Sequence, residues 1–188
     1  MNMFTIAFID KFPIVRKGAE IMLAESFPES EILTSADVAD FLVQYPASKP
    51  DVFILSVNSG SVINPFMLIP FIKHLFNCPV IIYDDTQVDQ LCLKYFSAGA
   101  SGYVSMNSPE SELIECIRAV RLKKSYASAN AMEVILKCLS GSHEFLKKNS
   151  PGLKGKKFEL IKSLHGGMKV PAMSQKLQES ITAISVQR

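Results

Sequence analysis

The side chains best equipped for metal or redox chemistry are four cysteines and three histidines, and their spacing serves neither. Cys78, Cys92, Cys116 and Cys138 form no CxxC pair, and His74, His143 and His165 form no ligand cluster. The cysteines read as buried thiols of a reducing compartment, with no zinc site and no disulfide expected. Acids are better placed. Asp10 closes the apolar run Met3 to Ile9, and Asp84 and Asp85 follow Pro79 to Tyr83. Open α/β sheets carry their sites at the carboxyl ends of strands, where these acids stand. The third chemically suggestive set is cationic. Residues 141–188 carry nine Lys/Arg against three Asp/Glu, whereas residues 1–140 carry 11 against 15. An acidic body with a basic tail suits a nucleic-acid-binding appendage, although a merely solubilising tail would give the same counts.

Elements must hold these groups. Met3 to Ile9 predicts a buried strand. Pro13 opens a helical stretch that breaks at Pro28, Glu31 to Thr34 is a weaker strand, and Asp37 to Tyr45 is a short helix. Asp51 to Val57 gives the strongest strand signal. Pro65 to Phe76 reads as an apolar helix that Pro70 should kink or divide. Pro79 to Tyr83 is a fourth strand. Thr86 to Ala98 then puts Val88, Leu91, Cys92, Tyr95 and Phe96 on one helical face. GASGYVSM (Gly99 to Met106) gives a turn and a short buried strand. Ser108 follows as a capping hydroxyl, with Pro109 at the first position of a helix whose inner side is Leu113, Ile114, Ile117 and Val120. Five strands alternating with five helices predict a doubly wound parallel α/β sheet. Ser128 to Leu139 is a further helix, Gly141 to Gly152 has linker composition, and a basic helical segment follows from Lys154.

A chain of 188 residues, 48% hydrophobic, has room for a medium domain with a real core and a small second one. No apolar run reaches the roughly 18–20 residues of a membrane span. The N-terminus lacks a basic flank before its apolar run, so no signal peptide and a cytoplasmic location are expected.

Four fragments resemble, in order and at matching intervals, the receivers of NarL/LuxR-type bacterial response regulators. IDKFPIVRKG (Ile9 to Gly18) is similar to the family's VDDHPLVREG, and PDVFILSV (Pro50 to Val57) to PDVVLLDL. PVIIYDD (Pro79 to Asp85) is similar to PVIVLTA, and GASGYVSM with its following helix to GASGYLLK…ELLEAIRAV. The resemblance covers about residues 3–124 and implies a receiver-like (βα)5 fold, flavodoxin-like, with strand order 2-1-3-4-5. It divides the chain into a receiver-like domain (1–124), a helical linker (125–152) and a DNA-binding unit (153–188).

In a working receiver, an aspartate at the end of the third strand takes a phosphoryl group. Acids after the first strand hold magnesium, and a hydroxyl and a lysine bind the phosphoryl oxygens. Carried over position by position, the acceptor is Ser56, the acid pair is Asp10 and Lys11, the hydroxyl is Asp84 and the lysine is Met106. Only Asp10 is retained. A serine is a weak nucleophile without an adjacent base and cannot form an acyl phosphate. Lys11 brings a positive charge where magnesium would need an oxygen ligand. Two readings of the acids remain open. Asp10, Asp84 and Asp85 could rebuild a metal site, or Lys11 could pair with Asp84 in place of the metal; the presence of Lys11 favours the second. No metal and no cofactor is expected. Tyr103 takes the family's switch-aromatic position and equally reads as a half-buried aromatic with a wet hydroxyl.

Leu153 to Arg188 is similar, without a gap, to the LuxR-type helix-turn-helix, matching at Leu153, Glu159, Leu164, Gly167, Leu177, Ser180, Ile184 and Val186. The resemblance implies a small all-α unit whose recognition helix starts at Ser180. Thr182, Ser185 and Val186 would face a major groove, and Lys169, Lys176 and Arg188 would meet phosphates. The family's pattern runs on past Arg188, so the unit is expected to be incomplete at its C-terminus. The implied protein is a non-enzymatic, DNA-binding transcriptional regulator acting as a homodimer on double-stranded DNA, independently of phosphorylation. Its input would be constitutive dimerisation, a protein partner or a small ligand. The alternative is a pseudo-receiver interaction module with a non-functional DNA-binding tail.

Overall fold

Along β1 (Phe4–Ile9) successive side chains leave opposite faces of the strand, and both faces are covered. Ala7 and Ile9 enter one core cluster while Ile6 and Phe8 enter another. β3 (Val52–Val57) repeats the alternation, with Phe53, Leu55 and Val57 on one side and Val52 and Ile54 on the other. A strand buried on both faces has few polar positions to spare, which is why these runs are apolar apart from Thr5 and Ser56.

The computed structural model describes residues 3–58, 64–85 and 91–141. Between β1 and β3 come α1 (Pro13–Ser26), β2 (Ser30–Ser35) and α2 (Val38–Gln44); after β3 come α3 (Pro65–Phe76), β4 (Val80–Asp84) and α4 (Leu91–Ser97). The described chain then closes with β5 (Gly102–Ser105), α5 (Glu110–Arg121), β6 (Tyr126–Ala127) and α6 (Ala129–Gly141). All neighbouring strands run parallel, in the order β2-β1-β3-β4-β5-β6. The first five positions are the expected order. Helices α1 and α5 cover one face, and α2, α3 and α4 cover the other. The order reverses between β1 and β3, so the carboxyl ends of those two strands flank the switch point.

Two local outcomes differ from the sequence expectation, and another rules out one of its two forms. Pro70 does not divide its helix: α3 runs unbroken from Pro65 to Phe76, with Leu68, Ile69 and Ile72 buried around the proline. Burial of that face, with Asn64 capping Phe66, outweighs the one backbone bond that a proline forfeits. Ser108 does not cap α5, which begins at Glu110 with Pro109 in extended conformation and no side-chain cap. The Ser108 N–H instead donates to the Ser105 carbonyl, closing a turn at the end of β5. The sheet also continues past residue 124. Tyr126 and Ala127 pair with Gly102 and Tyr103 as a sixth strand, and α6 returns over α4, where the Cys92 thiol faces the Ala131 carbonyl at 3.9 Å.

One glycine is sterically required. A Cβ on Gly102 would collide with Cys116 Sγ and crowd Ile81 at 3.2 Å, so α5 lies directly against the backbone of β5. Among the described residues no helix is long and apolar enough to cross a membrane.

Candidate functional site

Register brings the first two candidates together. β1 pairs with β3 so that Ile9 stands opposite Leu55, which leaves Asp10 and Ser56, the next residues, level with one another. Both share the strand face of Ile6, Phe8, Val52 and Ile54, by the period of two. They therefore meet. The Ser56 hydroxyl donates to Asp10 Oδ2, and the Phe12 N–H donates to Asp10 Oδ1 at 2.7 Å. Asp10 is 2% exposed and Ser56 8%, so this carboxylate is shielded from water and held by two donors from its own chain.

A carboxylate accepting from a serine hydroxyl is a pairing that can activate a nucleophile. Here the cationic groups that would receive a phosphoryl oxygen are engaged elsewhere. Lys11 is exposed, with its Nζ 4.7 Å above the Phe12 ring. Arg16 donates from Nη1 to the carbonyls of Asp10 and Lys11, at 2.7 and 3.2 Å, fastening the turn between β1 and α1. Met106 has no side-chain donor; its backbone N–H donates to the Asp84 carbonyl at 2.8 Å.

Asp84 belongs to a second polar contact. It ends β4 on the strand face of Val80 and Ile82, toward α3 and α4, and is fully buried. The Tyr95 phenol of α4 faces it, and burial first, then the Asp84 charge, push that phenol well above its ordinary pKa. Tyr95 is stacked between Phe66, at 5.0 Å, and Tyr103, at 5.9 Å. Tyr103 is 1% exposed, so it is a fully buried ring and not the half-buried aromatic that its polarity suggested. Burial also raises the Tyr83 phenol, with the Asp10 charge adding to it.

The expected Lys11–Asp84 ion pair is therefore absent. Lys11 stands in the exposed turn before α1, whereas Asp84 faces α4 inside the molecule. Asp10, Asp84 and Asp85 do not converge either: among the described residues no group of three or more His, Cys, Asp or Glu is placed to hold a metal ion. Cys78, Cys92 and Cys116 are buried and unbridged, as expected of thiols. Asp51 lies at the far end of the sheet, where its carboxylate accepts the Thr5 N–H at 2.9 Å. Sequence reasoning missed Tyr95 and Arg16 as site residues. The only signal for Tyr95 was its place on the inner face of a helix, which any apolar residue could fill.

The DNA-binding candidates Lys169, Lys176, Thr182, Ser185, Val186 and Arg188, with the whole unit 153–188, lie outside the described residues.

No established family profile matches the chain. It is 25% identical over 143 residues, 76% of its length, to the DNA-binding transcriptional activator DevR/DosR of Mycobacterium tuberculosis. The chain spans 54% and 65% of the length of the curated relatives it matches. Among solved structures it is similar to a LuxR-family two-component response regulator from Aurantimonas sp. SI85-9A1, with 25% identity and a TM-score of 0.65. That match covers 74% of this chain and 100% of the other. RcsB, in a structure of two dimers bound to two parallel DNAs, gives a TM-score of 0.65 at 20% identity, over 100% of this chain and 89% of that one. By strand order, by the motifs at the carboxyl ends of its strands and by these relatives, the chain is similar to the NarL/LuxR-type response regulators.

Proposed function

We propose that this chain is a DNA-binding transcriptional regulator whose receiver does not use phosphate. One observation carries the reading: at the acceptor position of the receiver stands Ser56, whose hydroxyl donates to the buried Asp10 carboxylate. The retained acid is thus occupied by the residue that replaced the acceptor. The other replaced positions supply no phosphoryl-binding group: Asp84 carries the charge of the incoming anion, Met106 offers no donor, and Lys11 lies over Phe12.

The DNA-binding part rests on the helix-turn-helix pattern of residues 153–188 and on the surplus of nine basic over three acidic residues in 141–188. The DevR/DosR relative, named for DNA binding, and the DNA-bound RcsB dimers support the same reading. The protein acts as a homodimer on double-stranded DNA and takes its input from dimerisation, a protein partner or a small ligand.

Electrophoretic retardation of genomic fragments by the full chain tests this. Retardation is expected, with affinity falling on a log–log salt plot by a slope of about −0.9 per phosphate neutralised. Lys169→Ala and Lys176→Ala should weaken all sequences alike, while Ser185→Ala, which removes at most one hydrogen bond, should leave preference unchanged. A folded chain that retards no fragment would instead make it a protein-interaction module.

A further inference from the structure

At the amino ends of β4 and β5, the edge of the sheet away from Asp10 and Ser56, lies a cleft of about 270 Å³. Lys73 and Asn77 line it from the end of α3, Lys123, Lys124 and Ser125 from the loop after α5, and Ser101 from the turn before β5. No acid among the described residues lines it. The three lysines have no ion-pair partner among those residues, whose one salt bridge joins Lys17 to Glu20. Asp51, whose charge reaches Cys78 in the lining, has its carboxylate bonded to the Thr5 N–H.

A lysine near a helix C-terminus ordinarily complements the helix dipole. Here that task is already filled: α5 has Arg118 and Arg121 in its last turn, and α3 has His74 beside Lys73. Lys123 also stands where glycine would cost less. Its φ of 58° is left-handed, and the N–H groups of Lys123 and Lys124 donate to the carbonyls of Val120 and Ala119 at 3.0 and 3.1 Å. That closing turn usually carries glycine, so the backbone gives no reason for a lysine. Lys73 is held in place: its Nζ donates to the Gly99 carbonyl at 2.9 Å, which leaves two of its three N–H donors for another group.

We propose that this cleft binds a small polyanion, its charge carried by phosphate or carboxylate groups. Three ammonium groups gathered on one concavity repel each other, and an anion between them turns that repulsion into attraction. Asn77, Ser101 and Ser125 add neutral donors. The surrounding domain makes the cluster more selective, because residues 1–140 carry 11 Lys/Arg against 15 Asp/Glu and would repel an anion elsewhere. Pockets for drug-sized, mostly apolar ligands run to roughly 300–1,000 Å³, so this smaller, charged cleft suits a compact hydrophilic one. The inference deepens the proposed function by giving the chemistry of its small-ligand input, and it rests on that reading.

Calorimetric titration of the full chain with pyrophosphate and with citrate, at constant ionic strength set by chloride, tests it and separates phosphate from carboxylate. At least one of the two should bind and raise the melting temperature. Lys73→Met and Lys123→Gly should each weaken that binding at least about tenfold, since each removes a charged donor. Lys123→Gly should do so while leaving the unliganded fold as stable or more stable, an outcome that a purely structural lysine would not give. Lys169→Ala and Lys176→Ala, in the basic tail, should leave the affinity unchanged. Binding of neither anion would overturn the cleft, as would binding that the tail variants abolish and the cleft variants spare. Either result would leave the DNA reading standing, because retardation of DNA fragments is measured without the anion.

Discussion

Ser56 and Asp10 stand level on neighbouring strands, and the serine hydroxyl donates to the aspartate carboxylate inside the sheet. A receiver with an aspartate at the acceptor position would bring two carboxylates together here, a pairing that calls for a cation between them. The serine removes that need and supplies the donor itself.

Ser56→Ala should therefore destabilise the fold by about 1–3 kcal/mol, the cost of leaving a buried acceptor short of a donor. Ser56→Asp should cost more, because it sets two carboxylates against each other in a buried site without a metal. Urea unfolding checks both, and equal losses for the two variants would contradict this account of the pair.

The second buried contact predicts a coupled loss. Tyr95→Phe removes the polar group facing the buried Asp84 carboxylate and should cost about 1–3 kcal/mol, with more if the acid stays charged. In the double variant Asp84→Val, Tyr95→Phe no polar group is stranded by the missing hydroxyl, so part of the loss should return. Strictly additive losses would mean that the two side chains do not depend on each other.

Gly102→Ala should be destabilising, because its methyl group collides with Cys116 Sγ where α5 rests on β5. Shortening the opposing side chain with Cys116→Ala in the same protein should recover part of the stability. Thermal melts of the two single variants and the double variant measure this, and a neutral Gly102→Ala would contradict the close approach.

Alkali should weaken the fold before it titrates the folded thiols. Burial, aided by the charges of Asp51 and Glu112, pushes the Cys78 and Cys116 thiols up to about 12. In the unfolded chain a cysteine titrates near about 8.5. Their folded pKa values are raised, so their contribution is fully present below the unfolded pKa. It declines as pH rises toward the folded value, because the unfolded chain has already lost those protons. Melting temperature should drop between roughly pH 9 and 12, and less steeply in Cys116→Ala than in the wild type.

The sheet was legible because its central strands had to be largely apolar on both faces, and Val52 to Leu55 could be little else. The pocket positions were legible as places, since Asp10, Ser56, Asp84 and Met106 all end or follow strands at one edge of the sheet. What they touch was not legible. The Lys11–Asp84 pair failed because opposite charges in a sequence say nothing about which side of a sheet each occupies; Asp84 faces α4 and finds Tyr95. Tyr126 and Ala127 joined the sheet although a two-residue strand leaves no periodicity to read. Ser108 had the chemistry of a cap, but the turn after β5 took its backbone for Ser105.

The central claim is that this receiver works without phosphate, and intact-mass spectrometry tests it most directly. The full chain would be incubated with phosphoramidate or acetyl phosphate and magnesium, beside a receiver with its acceptor aspartate as a positive control. This account predicts a phosphoryl adduct on the control and an unchanged mass for this chain. A phosphoryl adduct on this chain that disappears in Ser56→Ala would contradict it.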